Sequence, residues 1–134
     1  MTFKLNALTP MLLCQDVPGC LAFYTEALGF TISNQLEDVG KSGWASLTRD
    51  GVALMIASPD YIPSAIPIDG RHTQAIHYFY CDDVEAVRTA VLAAGYDAGE
   101  PRLTFYKHKE IDLVDPEGHM LTFGQAMDSE EGSE

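Results

Sequence analysis

Basic residues are scarce in this chain. Lys and Arg number 8 against 20 Asp and Glu in 134 residues, a formal net charge of −12 at pH 7. Nucleic acids and anionic membranes recruit proteins through clustered positive charge, so neither is an expected partner. The balance suits a cationic ligand, and it suits plain solubility equally well. Four of the acids, Asp128, Glu130, Glu131 and Glu134, fall in the terminal stretch MDSEEGSE. Residues 127–134 are therefore expected to be a disordered acidic tail.

Cysteine is also sparse. Cys14, Cys20 and Cys81 are odd in number, lie in apolar segments and show no C-x-x-C or zinc-finger spacing. Reduced, mostly buried thiols in a cytoplasmic protein are the simplest expectation. No apolar run approaches the ~20 residues of a membrane-spanning helix. The opening MTFKLNALTPMLLCQ is too polar for a signal peptide. There is no G-x-S-x-G, no glycine-rich phosphate loop and no Cys–His pair at a recognisable spacing.

What the chain does have is an internal repeat. LTPMLLC (8–14) reads as a strand, and Val17, Cys20, Leu21, Tyr24 and Leu28 then form one helical stripe. Asp16 fits an N-cap, Pro18 a first-turn residue and Gly29 a helix stop. Strands are expected near 30–34, 43–48 and 52–57, the last two joined at Arg49-Asp50-Gly51. The Pro-rich stretch 59–74 reads as a linker. The pattern then replays: strand 75–81, a helix opened by an Asp82/Glu85 capping box with Val84, Val87, Val91 and Ala94 as its stripe, a stop at Gly95, and strands near 102–104, 109–114 and 120–124. Cys14 and Cys81 align 67 residues apart, whereas Gly29 and Gly95 align at 66, so the first helix is one residue longer.

Two strand–helix–three-strand modules, about 7–58 and 75–125, predict one α+β domain over residues 1–126. Each sheet is expected to pack one face on a helix and to line a cleft with the other. Alternation of apolar and polar residues along the strands is weak, which predicts sheets covered on both faces.

FYTEALGF, CDDVEAVRTAVLAAG and DPEGHMLTFGQ, in that order and at that spacing, resemble the vicinal oxygen chelate superfamily (glyoxalase, bleomycin resistance protein, dioxygenase). The likeness covers about residues 7–125 and implies the glyoxalase/bleomycin resistance fold, two βαβββ modules with sheets curled around a cleft. Metal-using members place four ligands on the cleft face. The positions aligned with them are Thr9, Leu54 or Met55, Ile76 and Thr122, none a good donor for a divalent cation. The resemblance is therefore nearest to the metal-free bleomycin-resistance proteins, which LTPMLLCQDVPGCLAFYTEALGF also resembles. It implies a homodimer that sequesters a bulky cationic or aromatic small molecule, such as a bleomycin-type antibiotic, with no cofactor. Two other readings stay open. One is a metal-dependent lyase or dioxygenase with non-standard ligands. The other is a metal-free enzyme using Glu110 or a tyrosine as acid or base.

Strand alternation puts Ile76, Tyr78 and Tyr80 on the cleft face and His77, Phe79 and Cys81 toward the helix. Glu110 and Asp112 share a face, and two acids on an apolar strand call for solvent or a partner. Lys107 and Lys109 are candidate partners. The candidate ligand-binding residues are Trp44, Tyr78, Tyr80, Tyr106, Glu110 and Asp112. Lys107 stands where the resembled family usually has glycine, which puts the shape of that loop in question. His108 shares a face with Glu110, although two donors make a poor metal site. His119, in a turn, is expected to be exposed, and His72 falls in the linker.

Overall fold

A computed structural model of the chain describes residues 2–35, 43–59 and 75–127. Linker residues 60–74, with His72, and tail residues 128–134 lie outside the described residues. The elements run β1 (Met11–Leu13), α1 (Val17–Ala22), a π-helical segment (Phe23–Ala27), β2 (Thr31–Gln35), β3 (Trp44–Arg49) and β4 (Val52–Ala57). They continue with β5 (Ile76–Tyr80), α2 (Val84–Ala93), β6 (Arg102–Leu103), β7 (His108–Val114) and β8 (Met120–Ala126). The first sheet has strand order β1-β4-β3-β2 and the second β5-β8-β7-β6. In each, the first strand pairs in parallel with the last and the other pairings are antiparallel. The repeat in the sequence is thus a repeat of topology, and the fold is the α+β arrangement expected.

The extra residue of the first helix is accommodated by the π-helical segment. The Leu28 N–H reaches back five residues to the Phe23 carbonyl at 3.4 Å, and the wider turn absorbs one residue. Gly29 then ends the helix at φ +73°, as Gly95 ends α2 at φ +93°. Those left-handed values favour residues without a Cβ. Asp16 caps α1 by accepting from the Gly19 N–H. The cap of α2 is Asp83, one residue later than expected, because its carboxylate is the one that reaches the Glu85 and Ala86 N–H groups.

One apolar core draws on both modules. It joins Val17, Cys20, Phe23 and Tyr24 of the first helix to Leu47, Leu54 and Ile56 of the first sheet, and to Val84, Val91, Ile111, Leu121 and Phe123 of the second module. Polar contacts also cross between the modules. The Tyr24 hydroxyl donates to Asp115 at 2.7 Å, and the Gln15 and Asp16 N–H groups donate to the Glu117 carboxylate at 2.8 and 2.9 Å. Asp115, Glu117 and His119 all belong to the turn between β7 and β8. His119 is buried at 1% exposure, contrary to the expectation of an exposed turn residue. Its backbone N–H and its Nδ1 both lie against Asp115, at 2.9 and 2.8 Å. Desolvation pushes the Asp115 carboxyl upward, but bonds from His119 and Tyr24 outweigh it and hold it below its usual value.

The second sheet shows clear sidedness. Phe79, stacked on Phe123 at 4.6 Å, and Ile111, Leu113 and Leu121 face the core. Ile76, Tyr78, Tyr80 and Val114 are exposed on the opposite face. The expected cover on both faces is therefore absent from this sheet among the described residues. No described helix is long and apolar enough to cross a membrane.

Candidate functional site

The open face of the second sheet carries a connected polar network built on β5, β6, β7 and β8. Alternation puts His108, Glu110 and Asp112 of β7 on this face. Register sets Gly124 beside Glu110, Thr122 beside Asp112, and Arg102 opposite Glu110. Glu110 is the hub. Its Oε2 accepts from the Tyr78 hydroxyl at 2.6 Å and the Tyr106 hydroxyl at 2.5 Å, and its Oε1 accepts from Arg102 at 2.7 Å. The Arg102 guanidinium also donates to Asp112, which accepts a bond from Thr122 at 2.8 Å.

Gly124 makes this geometry possible. A Cβ there would stand 1.9 Å from the Tyr78 hydroxyl and 2.5 Å from ring carbon Cζ. The tyrosine lies across the bare backbone of β8 to reach β7. Only a residue without a side chain permits that approach.

Glu110 is 2% exposed. Burial pushes its carboxyl upward, but bonds from Tyr106, Tyr78 and Arg102 together outweigh that and hold it below its usual value. Desolvation and the adjacent carboxylate raise the Tyr78 phenol. The phenol proton therefore belongs between the two oxygens. The 2.8 Å contact between the Tyr78 hydroxyl and His108 Nδ1 then closes when that ring nitrogen carries hydrogen. Asp112 is pushed up by desolvation and pulled down further by Arg102 and Thr122. Two carboxylates against one guanidinium leave those three groups with a net charge of −1.

Four of the sequence candidates, Tyr78, Tyr106, Glu110 and Asp112, meet in this network. Tyr80 adjoins it, its ring centroid 5.0 Å from that of Tyr78, and is 78% exposed. Trp44 lies half-buried at the start of β3 on the other sheet, outside the network. The expected partners Lys107 and Lys109 do not serve. Lys109 points to the other face, where it meets Glu85 at 2.8 Å, and Arg102 takes the pairing role instead. Sequence reading missed Arg102, although counting back from the 104–107 turn sets it opposite Glu110. His108 was noticed only as a weak metal donor. Lys107 adopts φ +62°, so the loop keeps the conformation glycine would favour.

Of the four aligned metal positions, Thr9 precedes β1, Ile76 is 60% exposed, and Thr122 bonds Asp112. Leu54 is a core residue on the helix side, so its neighbour Met55 is the one that faces away. Among the described residues, no group of three His, Cys, Asp or Glu is placed to hold a metal ion. A groove of about 510 Å³ runs alongside, between the edges of the two sheets, with Pro10, Val52, Ile76, His77 and Tyr80 among its walls.

A family model described as the glyoxalase/bleomycin resistance protein/dioxygenase superfamily matches residues 5–123. No curated protein matches the chain. Solved structures do. TioX from Micromonospora sp. ML1 is 20% identical, covering 91% of this chain and 99% of its own, with a TM-score of 0.76. A bleomycin-binding protein complexed with bleomycin is 23% identical, covering 92% of this chain and 100% of its own, with a TM-score of 0.69. A lactoylglutathione lyase from Agrobacterium tumefaciens is 19% identical, covering 92% and 96%, also with a TM-score of 0.69. At these identities the likeness establishes the fold, and one fold hosts both binding and catalysis.

Proposed function

Because the chain belongs to the glyoxalase/bleomycin resistance protein/dioxygenase superfamily, we propose that it binds a bulky cationic or aromatic small molecule, such as a bleomycin-type antibiotic, without a metal. The observation that carries this reading is the open face of the second sheet. Exposed tyrosines flank a network with a net negative charge, and π-faces beside carboxylates attract flat cations. The relative complexed with bleomycin adds support for that ligand class. Metal chemistry fits the residues poorly. The positions aligned with the family's ligands carry hydroxyl and apolar side chains, and the carboxylates on the same face, Glu110 and Asp112, are already paired with Arg102.

The reading includes a homodimer. Ile76, Tyr80, Val114 and Phe105 are exposed at 60, 78, 62 and 96%. Apolar surface of that extent calls for cover, which a second copy closing the cleft over the ligand would give. It also places the protein in the cytoplasm, where its buried thiols stay reduced.

Calorimetric titration with bleomycin tests the ligand, and a saturable heat is expected. Its absence, or a stoichiometric bound transition metal in purified protein, overturns the reading. Light scattering at micromolar concentration is expected to give the mass of a dimer, and a monomer removes that part alone.

A further inference from the structure

The cation subsite of the open face is already filled by the protein. Resting on the reading above, we propose that Arg102 is a tethered substitute for the ligand's cation, and that a ligand binds by displacing it. The guanidinium lies between the two carboxylates of β7, donating to Asp112 and to Glu110 Oε1 at 2.7 Å. Two anions converge there, which favours a positive charge.

The two carboxylates have different roles. Glu110 is buried and held by two tyrosine hydroxyls besides Arg102, so it stays anchored when the guanidinium leaves. The Asp112 side chain is 54% exposed and keeps only Thr122. Asp112 is thus the carboxylate an incoming cation meets.

Arg102 is also built to leave. It sits on the outermost strand of the sheet, only two residues long, and its side chain is 47% exposed. The short strand is held through β7 alone among the described strands, and the half-exposed guanidinium has water to swing into.

Displacement of a guanidinium selects the class of ligand. The fork of N–H donors satisfies both carboxylates at once, and a replacement must do the same. The subsite is therefore for planar, N–H-bearing cations, amidinium or guanidinium in type, carried on an aromatic body. Flat cations lacking N–H groups leave the carboxylates short of donors and compete poorly.

The test uses the fluorescent bis-amidine 4′,6-diamidino-2-phenylindole, with thioflavin T as a flat cation lacking N–H donors. Wild type is expected to bind the bis-amidine more tightly than thioflavin T. Arg102→Met removes the internal competitor and is expected to tighten bis-amidine binding about tenfold or more, the value of one charge-assisted hydrogen bond. Asp112→Asn is expected to weaken it by a similar factor. Arg102→Gln, which keeps donors on the carboxylates without the charge, takes the place of Arg102→Met if that variant does not fold. If wild type binds bleomycin or the bis-amidine and a folded Arg102 variant binds equally or less tightly, the displacement inference falls alone. If neither wild type nor the variant binds any cation saturably, the functional reading falls with it.

Discussion

A methyl group at position 124 is enough to expel Tyr78 from the polar network. In Gly124→Ala the new Cβ would coincide with the Tyr78 hydroxyl, 1.9 Å away. The ring is the movable partner and must lift off β8. Lifting breaks the 2.6 Å bond to Glu110 and the 2.8 Å contact with His108. A hydrogen bond to a charged group contributes about 1.5–3 kcal/mol. Because Tyr106 and Arg102 still hold the carboxylate, the lower part of that range applies, about 1.5–2 kcal/mol. At the size of this chain that is a fall of several degrees in Tm. Tyr78→Phe removes the same bond without the clash and is expected to cost about the same. The decisive measurement is the double variant in urea unfolding. If Gly124→Ala acts by expelling Tyr78, the bond is lost only once, and the double variant falls short of the summed single costs by about 1 kcal/mol or more. Additive costs would show that the glycine serves the strand itself and would refute the reasoning.

Other perturbations have equally definite outcomes. Asp115→Ala removes the acceptor of the buried Tyr24 hydroxyl and is expected to cost about 1–3 kcal/mol in urea unfolding; no measurable cost would show the contact between Asp115 and Tyr24 to be idle. Glu110, Asp112 and Asp115 are all held below their usual values when folded. Their stabilisation is complete above the ordinary carboxylate range and is lost as pH falls through the folded values. Stability should thus be flat near neutrality and decline in acid, with a shallower decline in Asp115→Ala. Cys14 and Cys20 are fully buried and Cys81 partly so. A thiol reagent should label at most Cys81 in the native protein and all three in guanidinium, and rapid native labelling of two would contradict the packing. Lys107→Gly relieves a left-handed lysine that costs about 1–2 kcal/mol, offset in part by the added freedom of the unfolded chain. A small rise in Tm is expected, and a fall would mean the lysine side chain contributes more than its backbone costs.

The modules were legible because helical stripes, caps and stops repeat, down to the one-residue excess that the π-helical segment absorbs. Strand parity also set Tyr78 with Tyr80 and, on their own strand, Glu110 with Asp112, and the register across β8 brings the two pairs to one face. Parity, applied further, excludes Lys109 as a partner of Glu110, since adjacent strand residues point to opposite faces. Arg102 was hidden because a two-residue edge strand has almost no pattern of its own, and only register across the turn locates it. The burial of His119 could not be read locally. It depends on Tyr24, 91 residues from Asp115 in the chain, and a turn motif carries no information about what docks on it. Gly124 looked like an ordinary strand residue, because the need for bare backbone arises from a ring on a neighbouring strand.

The Glu117 cap has a consequence for how the protein is made. The N–H groups it satisfies belong to Gln15 and Asp16, 102 and 101 residues upstream. During synthesis those residues are added to the chain about 5–20 s before their partner. Over that interval the first module exists without the Glu117 acceptor for those two N–H groups and without the core residues of the second module. Its final form waits for the arrival of the β7–β8 turn. Variants of that turn should therefore slow maturation of the nascent chain more than they slow refolding of the finished one.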